Sequence, residues 1–185
     1  MNPFEISRQA IDLAAFRERL LDRSCGAYVQ FDGWVRDHNE GQQVLRLEYE
    51  VYEPLAVSEG QKILEEAKQQ FGVSRACAIH RSGLLELSDV AVVVGVSSAH
   101  RGEAFDACRY IIDQAKIRLP IWKKEYYANG NAEWVNCQRC SEAGHDHGVL
   151  SARARRYSQP PRPAAPPGGS KPRFSRPICR PAADR

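Results

Sequence analysis

Arg36 and His38 follow an apolar run, at the point where a strand should give way to a polar loop. His100 and Arg101 stand where a second apolar run passes into a helical pattern. A helix start presents unpaired backbone N–H groups and the positive end of the peptide dipoles, so an adjacent arginine strengthens a place for an anion. Lys116 and Arg118 fall in that helix's last turn, and Lys123, Lys124 and Glu125 come just past Pro120. Taken singly, each has a plainer explanation. A basic residue in a final turn complements the dipole, a strand-end arginine is solvated, and His100 suits a structural histidine. Together they suggest an anionic ligand, although spacing alone does not show that they meet. Other chemistries lack their residues: the chain has no glycine-rich phosphate loop, no Gly-x-Ser-x-Gly elbow and no His-Glu-x-x-His helix.

The elements that must hold these residues can be read from periodicity. Asp12 is placed to cap a helix through about Asp22, with Leu13, Phe16 and Leu20 on one face. Gly26 opens a strand that puts Ala27, Val29, Phe31 and Val35 on one side, and the polar stretch Asp37–Gln43 interrupts it. Alternation then returns, with Leu45, Leu47, Tyr49 and Val51 set against Arg46, Glu48 and Glu50. Pro54 suits the first turn of a helix running to Phe71, and Gly72 is a natural stop. Residues 73–80 and 90–98 read as strands, with Gly83 and Ser88-Asp89 as turn signals between them. A second long helix follows Gly102, expected to bury Phe105, Cys108, Ile112 and Ala115 before Pro120 ends it. A hairpin of 121–127 and 132–136 turns at Asn129-Gly130. Strand pairs separated by helices predict an α+β fold with antiparallel sheets and two or three packed helices.

The chain's 185 residues carry 26 basic and 23 acidic side chains, but the balance is uneven. Residues 151–185 hold nine of the basic residues against Asp184 alone, and eight of the eleven prolines. That composition cannot bury enough apolar surface to offset the entropy of ordering it, so a disordered tail is expected over 138–185, after a folded domain spanning 1–137. No apolar run reaches the roughly 18 residues of a bilayer span, and the N-terminus lacks the pattern of a secretory signal. A cytoplasmic protein with reduced thiols is the expectation, with Cys25, Cys77 and Cys108 serving the core.

Several runs in family order and spacing make the stretch from Gly26 to Cys137 resemble the catalytic (large) subunit of molybdopterin synthase, the MoaE family. They are Gly33-Trp-Val-Arg-Asp-His-Asn39, Leu47-Glu-Tyr-Glu50, Ile79-His-Arg-Ser-Gly83, Gly95-Val-Ser-Ser-Ala-His-Arg101, Lys116-Ile-Arg-Leu-Pro-Ile-Trp-Lys-Lys-Glu125 and Trp134-Val135. The resemblance implies a MoaE-like α/β hammerhead and a sulfurtransferase needing no metal or organic cofactor. Its substrate would be cyclic pyranopterin monophosphate. Its partner would be a small ubiquitin-like sulfur-carrier subunit (MoaD-like), whose C-terminal glycine thiocarboxylate supplies two sulfurs in turn for the molybdopterin dithiolene. A central homodimer within a heterotetramer is implied as well. Carried over residue by residue, the resemblance makes Lys116 and Lys123 catalytic, and gives substrate contacts to Trp34, Val35, Arg36, His100, Arg101, Lys124 and Glu125. Gln138 stands where many family members carry an arginine, with Arg139 one step later. Two anions brought into one pocket require fixed positive groups, which agrees with the cations singled out above.

Two other readings deserve weight. The fold could serve as a non-catalytic scaffold that only binds the small partner, against which the two intact lysines argue. Separately, Cys137-x2-Cys140-x4-His145 copies three ligands of a zinc knuckle, with His147 closer than a fourth ligand normally stands. With the basic tail it would make a nucleic-acid-binding appendage; an unselected extension is the simpler explanation, so the expectation is no metal and no nucleic acid.

Overall fold

The computed structural model describes residues 2–135, and the four potential zinc ligands, Gln138, Arg139 and the basic tail lie outside them. In chain order the elements are β1 (Phe4–Ser7), α1 (Leu13–Glu18), β2 (Ala27–Trp34), β3 (His38–Asn39), β4 (Gln42–Val51) and α2 (Glu53–Phe71). They continue as β5 (Arg75–Arg81), β6 (Gly83–Glu86), β7 (Val90–Ser98), α3 (Arg101–Arg118), β8 (Ile121–Tyr127) and β9 (Ala132–Val135). One sheet has the order β1-β5-β7-β2; the other runs β3-β4-β8-β9, with β6 added alongside β4. The α+β class expected from the sequence is the class observed.

The first sheet is the packing platform. β7 is buried along nearly its whole length, as expected for an apolar β-branched strand paired on both edges. The α2 and α3 helices cover one face through Ile63, Leu64, Ala67, Ala104, Ala107, Cys108, Ile111 and Ile112. The other face receives Phe16 and Leu20 against Ile79 and Val93. Room for those two side chains depends on Gly95, where an added Cβ would run into Leu20 and Phe16. Gly95→Ala is therefore expected to destabilise the protein by roughly 1–3 kcal/mol through overpacking, measurable by urea unfolding.

Several elements depart from expectation for identifiable reasons. The helix capped by Asp12, whose side chain accepts from the N–H groups of Ala14 and Ala15, ends at Glu18 rather than near Asp22. Beyond it Arg19, Leu20 and Leu21 bond three residues back, so the chain tightens into turns that still deliver Leu20 to the core. β1 is too short to show a period, and it joins β5 in parallel, the one parallel pair among the described residues. β6 occupies what read as a turn region: Gly83, at φ 86°, lets the chain leave the first sheet and pair with β4 of the second. In β4 the register against β8 shifts between Val44 and Arg46, so Val44 turns inward and Leu45 is exposed. Phe105 is 60% exposed, because α3 buries the Ala104–Ala107–Cys108 face one step away. Phe31 likewise reaches the surface.

The α3 helix is fixed at its C-terminal end by Arg118, whose guanidinium pairs with both Glu59 and Glu66 of α2. Those hydrogen bonds, with burial opposing them, raise the arginine's pKa and lower both glutamates'. Arg118 is thus used to hold the helix rather than to meet a ligand, and it sets the position of Lys116 two residues earlier.

Candidate active site

Alternation along β8 places Lys123, Glu125 and Tyr127 inward and Trp122, Lys124 and Tyr126 outward. Lys123 and Glu125 are only 8% and 3% exposed, so a full charge pair has been taken out of water. Such a pair persists only when its remaining polar positions are filled. On the carboxylate they are: Lys123 Nζ lies 2.6 Å from Glu125 Oε1, while Oε2 accepts from Asn39 Nδ2 at 2.9 Å and from the Tyr127 hydroxyl at 2.8 Å. Asn39 is buried, and its carbonyl oxygen accepts from Arg36 at 2.8 Å. The two-residue strand β3 pairs with the start of β4 and so carries Asn39 back over β8. A continuous chain of bonds thus links the exposed Arg36 to the buried lysine. Burial pushes the Glu125 carboxyl up, but its bonds from Lys123, Tyr127 and Asn39 outweigh this and leave it below the ordinary carboxylate range. Burial and the neighbouring carboxylate together push the Tyr127 phenol up to about 12.

Lys116 borders a cavity of about 80 Å³ between α3 and the sheets, lined also by Tyr49, His80, Val92, Ile112, Ala115, Leu119 and Ile121. Tyr49 is the cross-strand partner of Lys123, and side chains directly opposite share one face. Both lysines therefore border the same tyrosine, one from the end of α3 and the other from β8.

The remaining candidates are distributed unevenly. Trp34 sits at a bulge opposite β7 with its side chain 68% exposed, while Val35 is sunk in a small core with Leu47, Leu85 and Ala91. Only the backbone of Val35 can face a ligand. Lys124 points to the opposite surface from Lys123, near the rings of Tyr126 and Trp134. His100 and Arg101 are exposed at the N-terminal end of α3. From Arg101 to Lys116 is 15 residues of one helix, about 22 Å at a rise of about 1.5 Å per residue. A single chain thus gathers Arg36, Lys116, Lys123 and Glu125 toward one region and leaves His100 and Arg101 at the far end. His38 pairs with its neighbour Asp37 at 2.7 Å. Asn39, Tyr49, His80 and Tyr127 were not singled out from the sequence. Tyr127 carries a period-2 signal, two residues beyond Glu125, whereas Asn39 becomes visible only when the hairpin is closed.

Comparison with known proteins identifies the family. The family model described as MoaE protein matches residues 6–118. The chain is 42% identical over 130 residues to a molybdopterin synthase catalytic subunit of Thermoplasma volcanium, covering 70% of this chain and 95% of that protein. It is 38% identical over 138 residues to the catalytic subunit of Bacillus subtilis, covering 75% and 87% respectively. Among solved structures, molybdopterin synthase from Staphylococcus aureus superposes with a TM-score of 0.70 at 36% identity, covering 73% of this chain and 98% of that one. With the family model matching well over half of its length, this chain belongs to the MoaE family.

Proposed function

We propose that this chain is the catalytic subunit of molybdopterin synthase. It transfers sulfur from the C-terminal thiocarboxylate of a small ubiquitin-like subunit to cyclic pyranopterin monophosphate, opening the cyclic phosphate and building the molybdopterin dithiolene for molybdenum cofactor biosynthesis. The observation that carries the reading is the meeting of Lys116 and Lys123 at Tyr49, one lysine at a cavity and the other locked in a buried network. Lys116 has the freedom of an exposed final-turn residue and is the group that meets the incoming thiocarboxylate. Lys123 is held by Glu125 and supplies a fixed charge at the same wall; Glu125 acts through it. Arg36, tied down by Asn39, serves the phosphate. Preorganised cations of this kind stabilise developing anionic charge without reorganising during the reaction.

The phosphate contacts of His100 and Arg101 come, in this reading, from a second copy of the chain. One helix cannot bring its two ends to a single small substrate, whereas a two-fold dimer that packs α3 antiparallel to its own copy would set the start of one beside the end of the other. The working unit is then a homodimer with a small subunit at each end, acting in the cytoplasm. Residues 1–137 form the catalytic domain, and 138–185 are a basic tail outside the chemistry. No helix among the described residues is long and apolar enough to cross a membrane.

Mixing two inactive variants tests the arrangement. His100→Ala and Lys116→Ala chains, each inactive alone, are expected to regain about a quarter of native sulfur transfer after subunit exchange. Half the dimers would be mixed, and each of those would hold one intact site. Absence of recovery despite verified exchange would place both residues in the same protomer's site, or outside it.

A further inference from the structure

The cavity beside Lys116 contains a polar group to which the reaction as described gives no task. His80, on β5, lines it together with Tyr49 and Lys116. Its Nδ1 lies 2.7 Å from the backbone carbonyl of Arg81. A carbonyl can only accept, so Nδ1 carries the proton, and the other nitrogen of the neutral ring, Nε2, presents a lone pair. The edge of the ring system is fixed by Tyr49, whose ring stands perpendicular to it at 4.8 Å between centroids. Burial, only partly countered by the bond to Arg81, pushes the histidine down to about 4, so the ring stays neutral at ordinary pH. Among the described residues, Arg81 Nε is the one side-chain nitrogen or oxygen that is sealed from solvent without a partner. Nε2 of His80 makes no hydrogen bond there, yet it is not sealed, which leaves the cavity as its outlet.

The size of the cavity restricts what Nε2 can meet. About 80 Å³ is well below the roughly 300–1,000 Å³ of a site that encloses a small-molecule ligand. Apart from Tyr49, His80 and Lys116 its walls are Val92, Ile112, Ala115, Leu119 and Ile121, all apolar. A narrow apolar slot with one neutral acceptor inside and one cation at its edge matches a chain terminus with no side chain: a backbone N–H for the acceptor and a terminal anion for the lysine. We propose that His80 is a positioning residue of the sulfur-transfer site, its Nε2 accepting the amide N–H of the partner's terminal glycine so that the thiocarboxylate is presented to Lys116. This rests on the reading of the reaction given above and adds a specificity element to it. A terminal glycine, with no side chain, suits a slot of about 80 Å³. The acceptor fixes which way the thiocarboxylate faces.

The test uses two forms of thiocarboxylated small subunit prepared by semisynthesis. One ends in glycine, and in the other the last amide is replaced by an ester, which removes the N–H without adding bulk. Each is assayed for sulfur transfer with the native chain, His80→Phe and His80→Gln, with thermal melting as a control on folding. On the native chain the ester form is expected to lose about ten- to a hundredfold in kcat/KM, the cost of an unpaired buried acceptor. His80→Phe should show a similar loss with the amide form and then respond equally to amide and ester. His80→Gln, which returns a polar atom near the Nε2 position, should recover part of the loss. Equal rates for the two forms on the native chain would overturn the proposal even if no His80 variant folds. Losses that multiply in the His80→Phe–ester combination would overturn it too. Failure of the native pair to transfer sulfur would remove the reading of the reaction and this role with it, whereas brisk native transfer that ignores the amide removes the role of His80 alone.

Discussion

Lys116→Ala is expected to reduce sulfur transfer by about 10²–10⁴-fold, the range for removing a positioned proton-transfer or charge-stabilising group. The same substitution should leave the melting temperature nearly unchanged. Lys116 is exposed in the last turn of α3, and the anchoring of that turn depends on Arg118 with Glu59 and Glu66. Loss of activity without loss of stability separates a residue that meets substrate from one that holds the fold. Arg118→Ala should do the reverse and loosen the helix end. Single-turnover rates with saturating partner, read beside thermal melts, would check both. A Lys116→Ala protein with native turnover would leave the family assignment intact and remove the mechanism.

Lys123→Ala should behave differently, because it leaves Glu125 buried beside Asn39 and Tyr127 without its cation. Breaking a buried pair from one side typically costs about 3–5 kcal/mol, whereas replacing both partners together is far milder. Lys123→Ala is thus expected to lower stability by about that amount in urea unfolding, and the double change Lys123→Met with Glu125→Gln by much less. Acid should affect the native protein in a matching way. Glu125 has a folded pKa below its unfolded value. Its contribution is complete above the ordinary carboxylate value of about 4.3 and is lost as pH falls through the lower folded value. In Lys123→Ala the remaining burial favours the protonated carboxyl, so the stability gap between variant and native should narrow on acidification. A gap constant from pH 7 to below 4 would mean that the pair carries no net stabilisation. Turnover should also fall in Lys123→Ala, since the fixed charge next to Tyr49 is gone.

How much of this was legible beforehand depends on the range of the interactions involved. Asp12, Gly72 and Pro120 act through the backbone within a turn or so, and they mark element ends where expected. The outward Lys124 and inward Lys123 follow from the two-residue period of a strand, although the period alone does not say which of the two faces is buried. That choice is made by the second sheet and by Asn39 closing over Glu125. Leu45 and Phe105 show the limit from the other direction. Each is apolar at a position that periodicity would bury, and each is exposed because a bulge or a one-residue rotation moved the buried face. β1 and β6 are four residues each, too short to carry a period, and exist because a neighbouring strand offers an edge. The cations at the element ends stand out in the sequence as a set suited to anions. Their division into a group near Lys116 and a group at the far end of α3 required the length of the helix between them.

In the proposed reaction this chain, with its own lysines, transfers sulfur from a small subunit's thiocarboxylate to a cyclic pterin phosphate. The direct measurement combines the purified chain, a thiocarboxylated small ubiquitin-like subunit and cyclic pyranopterin monophosphate, and follows molybdopterin formation against loss of the thiocarboxylate. Product is expected to form with the native chain, with two thiocarboxylates consumed for each dithiolene, and to form about 10²–10⁴-fold more slowly with Lys116→Ala. Stable complexes of native chain and partner that leave the thiocarboxylate intact in the presence of the pterin would contradict it, and would make the protein a binding scaffold.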